Sequence, residues 1–204
     1  MKTRTITLAS AAFVATVLLA GCAPTSGSGT NPMPGMDHSA SPMSPGGDST
    51  EANMSDQMFV EMMIPHHEQA IEMSDLILGK DGVDPRVLDL AQQIKDAQGP
   101  EIEQMNSWLE DWGIPAMSGD GTDGMGHGDG MMSVQDMAEL EAATGNDAAR
   151  LFLEQMIVHH QGAIDMAESE VENGQHPDVI ELAEQIIDGQ TAEIATMEQL
   201  LTEP

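Results

Sequence analysis

The sequence predicts an all-α protein, a four-helix bundle made of two repeated helical hairpins. Three observations carry this expectation. The stretch FVEMMIPHHEQAIEMS at residues 59–74 returns as FLEQMIVHHQGAIDMA at 152–167. The apolar residues of both copies recur at alternating spacings of four and three, the period of a helical core seam. Strand-like alternation is absent, and 204 residues hold three Phe, two Trp and no Tyr.

Before the helices comes a targeting segment. Lys2 and Arg4 precede an apolar run from Leu8 to Ala20, followed by Gly21 and Cys22. A basic start and a short apolar stretch make a secretion signal, too short and wrongly flanked for a spanning helix. Leu19-Ala20-Gly21-Cys22 resembles the bacterial lipobox. That resemblance implies cleavage after residue 21 and lipidation of Cys22; the alternative is an ordinary signal peptide with a chance cysteine. Cys22 is the only cysteine, so no intramolecular disulfide forms. Residues 22–54 are rich in Gly, Ser, Pro and Met and read as a flexible tether.

The first main helix is expected from Ser55, a candidate N-cap, to Leu78 before Gly79. The second opens at Asp84-Pro85, a cap followed by proline in the first turn, and ends near Trp112-Gly113. Residues 113–132 read as a flexible Met/His/Gly loop. A short lead helix starts at Ser133, with Asp136 three residues on. The third main helix follows Asn146 and stops before Gly174. The fourth runs from Pro177 almost to the end. The repeats are thus 55–112 and 133–204 within a bundle of 55–204. Their second helices match too: Leu90, Ile94, Gln98, Glu101 and Met105 pair with Leu182, Ile186, Gln190, Glu193 and Met197. Neither hairpin can bury both faces alone, so docking the two is the economical solution.

Thirty-five Asp and Glu against six Lys and Arg give a formal charge of −29. Such a chain repels nucleic acids and anionic membrane surfaces. The acidity attracts cations diffusely or serves solubility and salt tolerance; alone it names no site.

His66 and His67 fall on two adjacent apolar stripes of the first helix, and His159 and His160 repeat both positions. All four therefore point inward, away from the acidic face of Glu61, Glu68, Glu72 and Asp75. Buried imidazoles need partners, since an unpaired buried polar group costs about 1–3 kcal/mol. One solution is a structural network with Gln98, Glu101, Gln190 and Glu193. The other is a metal. Met63 precedes His66 and His67 by three and four residues, and Met156 stands likewise to His159 and His160, on neighbouring turns of one face. Met73 and Met166 lie two turns further on. Thioether with imidazole is a soft donor set that favours Cu(I), with Cu(II) possible if more His and carboxylate join. Met36 and His38 in the tether, and Met125, His127, Met131 and Met132 in the loop, form a possible auxiliary set. Capture of soft metal and scavenging of oxidants compete as explanations there. Pro65, where the second copy has Val158, removes a backbone hydrogen bond and is expected to kink the helix.

The segments MMIPHHEQAIEM and MIVHHQGAIDMA, with the downstream pattern of Ala, Ile, Gln, Glu-Ile and Met, resemble a bacterial domain-of-unknown-function family of the DUF305 type. That family is ferritin-like in fold and includes the CopM-like periplasmic copper-binding proteins. The resemblance spans about residues 55–204. It implies a ferritin-like bundle, copper binding and copper tolerance outside the cytoplasm. Its ligands carry over to Met63, His66, His67, Met156, His159 and His160, and less firmly to Met73 and Met166. Ferritin-like di-iron sites use Glu-x-x-His on two helices, and this chain has none.

The expectation is therefore an extracytoplasmic, lipid-anchored copper-binding protein on the cell surface or periplasmic face. It would sequester copper or pass it to other copper-handling proteins, with no nucleic-acid partner. The alternatives are a metal-dependent oxidase of Cu(I) or Fe(II) and a metal-free cell-surface interaction domain. An enzyme is the weaker class: no nucleotide-binding loop, zinc-protease pattern or serine triad is present.

Overall fold

The computed structural model describes residues 51–115 and 130–202. Five helices fill most of them: α1 (Met54–Leu78), α2 (Pro85–Trp112), α3 (Val134–Ala142), α4 (Gly145–Asn173) and α5 (Pro177–Thr202). There is no strand among the described residues, so the all-α expectation holds. The signal segment, Cys22, Met36, His38, Met125 and His127 lie outside the described residues.

Most helix ends follow from local chemistry. Asp84 caps α2 by accepting from the Arg86 N–H, with Pro85 in the first turn, and Gly113 closes the helix at φ 69°. Ser133 and Asp136 form a reciprocal capping box on α3. The start of α1 differs from expectation. Its cap is Asn53, whose side chain accepts from the Ser55 and Asp56 N–H groups. Ser55 lies inside the helix and donates its hydroxyl to Glu170 of α4 at 2.8 Å. An asparagine caps as well as a serine, and the serine has a partner 115 residues away. The start of α4 also falls earlier than expected, at Gly145, with Thr144 as a cap that makes no side-chain bond. α1 runs on through Pro65 as one helix.

α1 packs on α2 and α4 on α5, and the two hairpins join mainly through α1 against α4. α1 and α4 run antiparallel. Asn53 donates to the Asn173 carbonyl at one end, while His66 meets His159 near the middle. At the other end α3 lies against both, and the Lys80 ammonium donates to the carbonyls of Glu141 and Ala143.

The core is divided in two. One apolar cluster gathers Ala70, Met73 and Ile77 with Val87, Leu90, Ile94, Phe152, Leu153, Met156 and Met197. The other gathers Phe59, Val60, Met63 and Ile64 with Met105, Trp108, Leu109, Ala163, Ala167 and Ile186. On every long helix the residues between the clusters are polar: His66 and His67, Gln98 and Glu101, His159 and His160, Gln190 and Glu193. A polar layer thus crosses the middle of the bundle.

Candidate metal centre

All four histidines of the layer are buried, as their stripe positions require: none is more than 1 % exposed. Their surroundings repeat as their sequences do. His67 Nε2 lies 2.8 Å from Glu101 Oε2, and His160 Nε2 lies 2.6 Å from Glu193 Oε2. An ionised carboxylate only accepts, so it places the ring proton on Nε2 and leaves Nδ1 as a lone pair. In both residues that Nδ1 is buried without a hydrogen-bond partner. Glu101 and Glu193 are themselves partly open to solvent, at 23 % and 20 %. Each orients an imidazole inside from the edge of the layer.

His66 and His159 meet across the α1–α4 contact with ring centroids 3.8 Å apart and planes tilted by 39°. The His159 ring approaches the His66 backbone, yet neither of its nitrogens makes a well-formed hydrogen bond. Burial above all, then the neighbouring imidazoles of His66, His160 and His67, hold the His159 pKa well below the usual histidine range. The ring is neutral at physiological pH, the form that ligates metals. Gln98 adds further unsatisfied polarity, with neither side-chain atom partnered.

The candidate thioethers divide into two groups. Met63 and Met156 are fully buried and border the layer from opposite sides, one in each apolar cluster. Met73 is fully buried in the first cluster, two helical turns or about 10 Å of rise from His66. Met166 is half-buried in a surface cleft between α1 and α4. Of the loop residues, Met131 and Met132 are described and half-buried. The Met132 backbone is pinned by Gln69, whose side chain accepts from its N–H at 2.7 Å and donates to its carbonyl at 2.9 Å. Met132 also packs against the first cluster, a role that a reading of residues 113–132 as a flexible loop does not contain. Gly130 comes so close to α4 that a Cβ there would lie 2.6 Å from the Val158 carbonyl oxygen. The strap of residues 130–132 therefore crosses the turn that carries His159.

Glu101 and Glu193 were legible as partners because they recur in register. The contacts of Gln69 and Gly130 were not, because they reach far along the chain, Gln69 to Met132 and Gly130 to Val158, without a repeat. Among the described residues no group of three or more His, Cys, Asp or Glu is arranged to hold a metal ion. Met63 and Met156 at the borders of the layer add thioether sulfur to its nitrogen and oxygen donors. His176 stands apart, with its ring against Trp108 and Trp112.

A domain-of-unknown-function model, DUF305, matches residues 56–201. The chain belongs to the DUF305 family. A DUF305 fragment from Deinococcus radiodurans is 33 % identical with a TM-score of 0.67, covering 74 % of this chain and 97 % of that one. CopM in its Cu(I)-bound form is 34 % identical with a TM-score of 0.60, covering 72 % of this chain and 96 % of that one. CopM structures with Cu(II) and with silver match as well. An uncharacterised protein of Acanthamoeba polyphaga mimivirus is 42 % identical over 62 residues, 30 % of this chain. The match spans 40 % of that viral protein's length. The family match and the likeness to DUF305 structures agree with the expected family and all-α fold. No described helix is long and apolar enough to cross a membrane.

Proposed function

We propose that this DUF305 protein is an extracytoplasmic copper-binding protein, lipid-anchored through Cys22, that sequesters copper or passes it on and so confers copper tolerance. The observation that carries the reading is the buried layer in which His159 and the Nδ1 atoms of His67 and His160 lack hydrogen-bond partners. Leaving such groups unmatched costs about 1–3 kcal/mol each, a cost that a bound metal offsets. Met63 and Met156 border the same layer, and thioether beside imidazole is a soft donor set that favours Cu(I) before Cu(II). Glu101 and Glu193 orient His67 and His160 through their far nitrogens, as carboxylates behind metal-bound histidines do. The likeness to CopM, solved with Cu(I), Cu(II) and silver, supports the same choice of metal.

The hydrogen-bonded His67–Glu101 and His160–Glu193 pairs favour one second reading, a metal-free network that fixes the register of the helices. An anaerobic Cu(I) titration against a competing chelator separates the two. The comparison is with a variant carrying Ala at positions 66, 67, 159 and 160. Tight binding lost in the variant supports the metal centre. Equal binding by both proteins returns the histidines to a structural role.

A further inference from the structure

Methionine and histidine form a ladder on α1. Met54, Met58, Met62 and His66 follow one another at four-residue steps, each about 6 Å of rise along one slowly turning face. Exposure falls along it: Met54 is 78 % exposed, Met58 54 %, Met62 half-buried and His66 1 %. The ladder therefore begins in solvent and ends in the histidine layer. Across from it, Met166 of α4 completes a cleft of about 240 Å³ lined also by Phe59 and Gly162. Gly162 has no side chain to fill the cleft at its inner end, one turn beyond His159. The strap at Gly130 lies against the same glycine.

Core packing does not account for the two outer sulfurs of the ladder, although Met166 packs against the second apolar cluster. Met54 and Met58 are exposed, so they fill no gap. The repeat supplies a control within the same chain. The positions that match Met54, Met58 and Met62 in α4 hold Asp147, Leu151 and Gln155. The same helix in the same bundle is thus built without sulfur at all three, while Met63 and Met156 are kept in both copies.

We propose that Met54, Met58, Met62 and Met166 form a loading site for a soft monovalent cation, Cu(I) or its analogue Ag(I), and deliver it to His66. The inference rests on the copper-binding reading above and adds the route by which the ion arrives. Thioethers remain uncharged and bind soft cations at any physiological pH. Three at successive turns, with a fourth opposite, offer an ion new ligands before it leaves the old ones. The asymmetry of the ladder makes α1 the loading side of an otherwise repeated centre.

The test uses full-length protein with methyl-labelled methionine, titrated anaerobically with Ag(I) and followed by NMR. The methyl signals of Met54, Met58, Met62 and Met166 are expected to move at the first substoichiometric additions. The variant Met54→Leu/Met58→Leu/Met62→Leu keeps apolar bulk and helix propensity. It is expected to take Ag(I) from a competing chelator at least about tenfold more slowly, with unchanged tight binding at equilibrium. Unmoved signals at the four methionines, or equal uptake rates in wild type and variant, overturn the loading site. If the Cu(I) titration also finds no tight binding to wild type, the copper reading falls with it. If tight binding persists, only the loading site falls.

Discussion

Glu170 offers the sharpest quantitative test of the fold. It is 1 % exposed and faces Asp56, which is fully buried. Asp56 accepts the backbone N–H groups of Asn53, Gln175 and His176; burial raises its carboxyl pKa, but the hydrogen bond with Glu170 and then these backbone bonds hold it below the ordinary aspartate value. Glu170 accepts the Ser55 hydroxyl and faces the Asp56 carboxyl directly. Burial first, and then the hydrogen bond and charge of Asp56, push its pKa from the ordinary 4.5 up to about 7. The folded protein thus binds this proton more tightly than the unfolded chain. The stability it contributes is present in full below 4.5 and is lost as pH rises through about 7. One pH unit between the two values corresponds to about 1.4 kcal/mol, which bounds the effect at about 3.5 kcal/mol. Relaxation of the two carboxylates away from each other reduces the expected loss to about 1–2 kcal/mol. Glu170→Gln supplies a permanent donor to Asp56 and no titration. Urea denaturation between about pH 5 and pH 8 is expected to show wild-type stability falling relative to the variant. The variant should be the more stable by about 1–2 kcal/mol at the alkaline end. A variant less stable than wild type there would refute the shared proton.

Three further outcomes follow from the centre and its strap. His159→Leu removes a buried imidazole whose nitrogens are unmatched. It should stabilise the metal-free protein by about 1–3 kcal/mol in urea denaturation while reducing the rise in Tm on adding Cu(I). Glu193→Ala frees His160 from the carboxylate that fixes its proton. Copper affinity in a chelator competition should fall about 10–100-fold, and an unchanged affinity would separate Glu193 from the metal centre. Gly130→Ala places a Cβ against the Val158 carbonyl at a φ of +76°. The backbone alone costs about 1–2 kcal/mol, so hydrogen exchange at the Met132 amide should accelerate while exchange in mid-α4 stays protected.

The heptad stripes made the inward direction of His66, His67, His159 and His160 legible. The register of the repeat made Glu101 and Glu193 legible as their partners. Those signals are periodic, and periodicity survives in one dimension. The caps at Asp84 and Ser133 were legible because their bonds close within three residues. Ser55 misled because Asn53, two residues earlier, caps equally well, and the hydroxyl answers to Glu170 instead. The burial of Glu170 was invisible for the same reason: its partners are at the far end of another helix. The Met54–Met58–Met62 spacing was present in the sequence but lay off the apolar stripes. Only exposure distinguished it from ordinary helix surface.

The contact between His66 and His159 joins equivalent positions of the two repeats. One hairpin alone carries only half of the layer and could complete it only by pairing with a second copy of itself about a twofold axis. In such a dimer every substitution would act twice, and both sides of the centre would remain identical. Fusing the hairpins into one chain removes that restriction. Pro65 opposite Val158, and Met62 opposite Gln155, show the two halves already chemically distinct. A symmetric pair of hairpins has no front or back; this chain has both, so an ion loaded as proposed would meet the His66 side of the layer first.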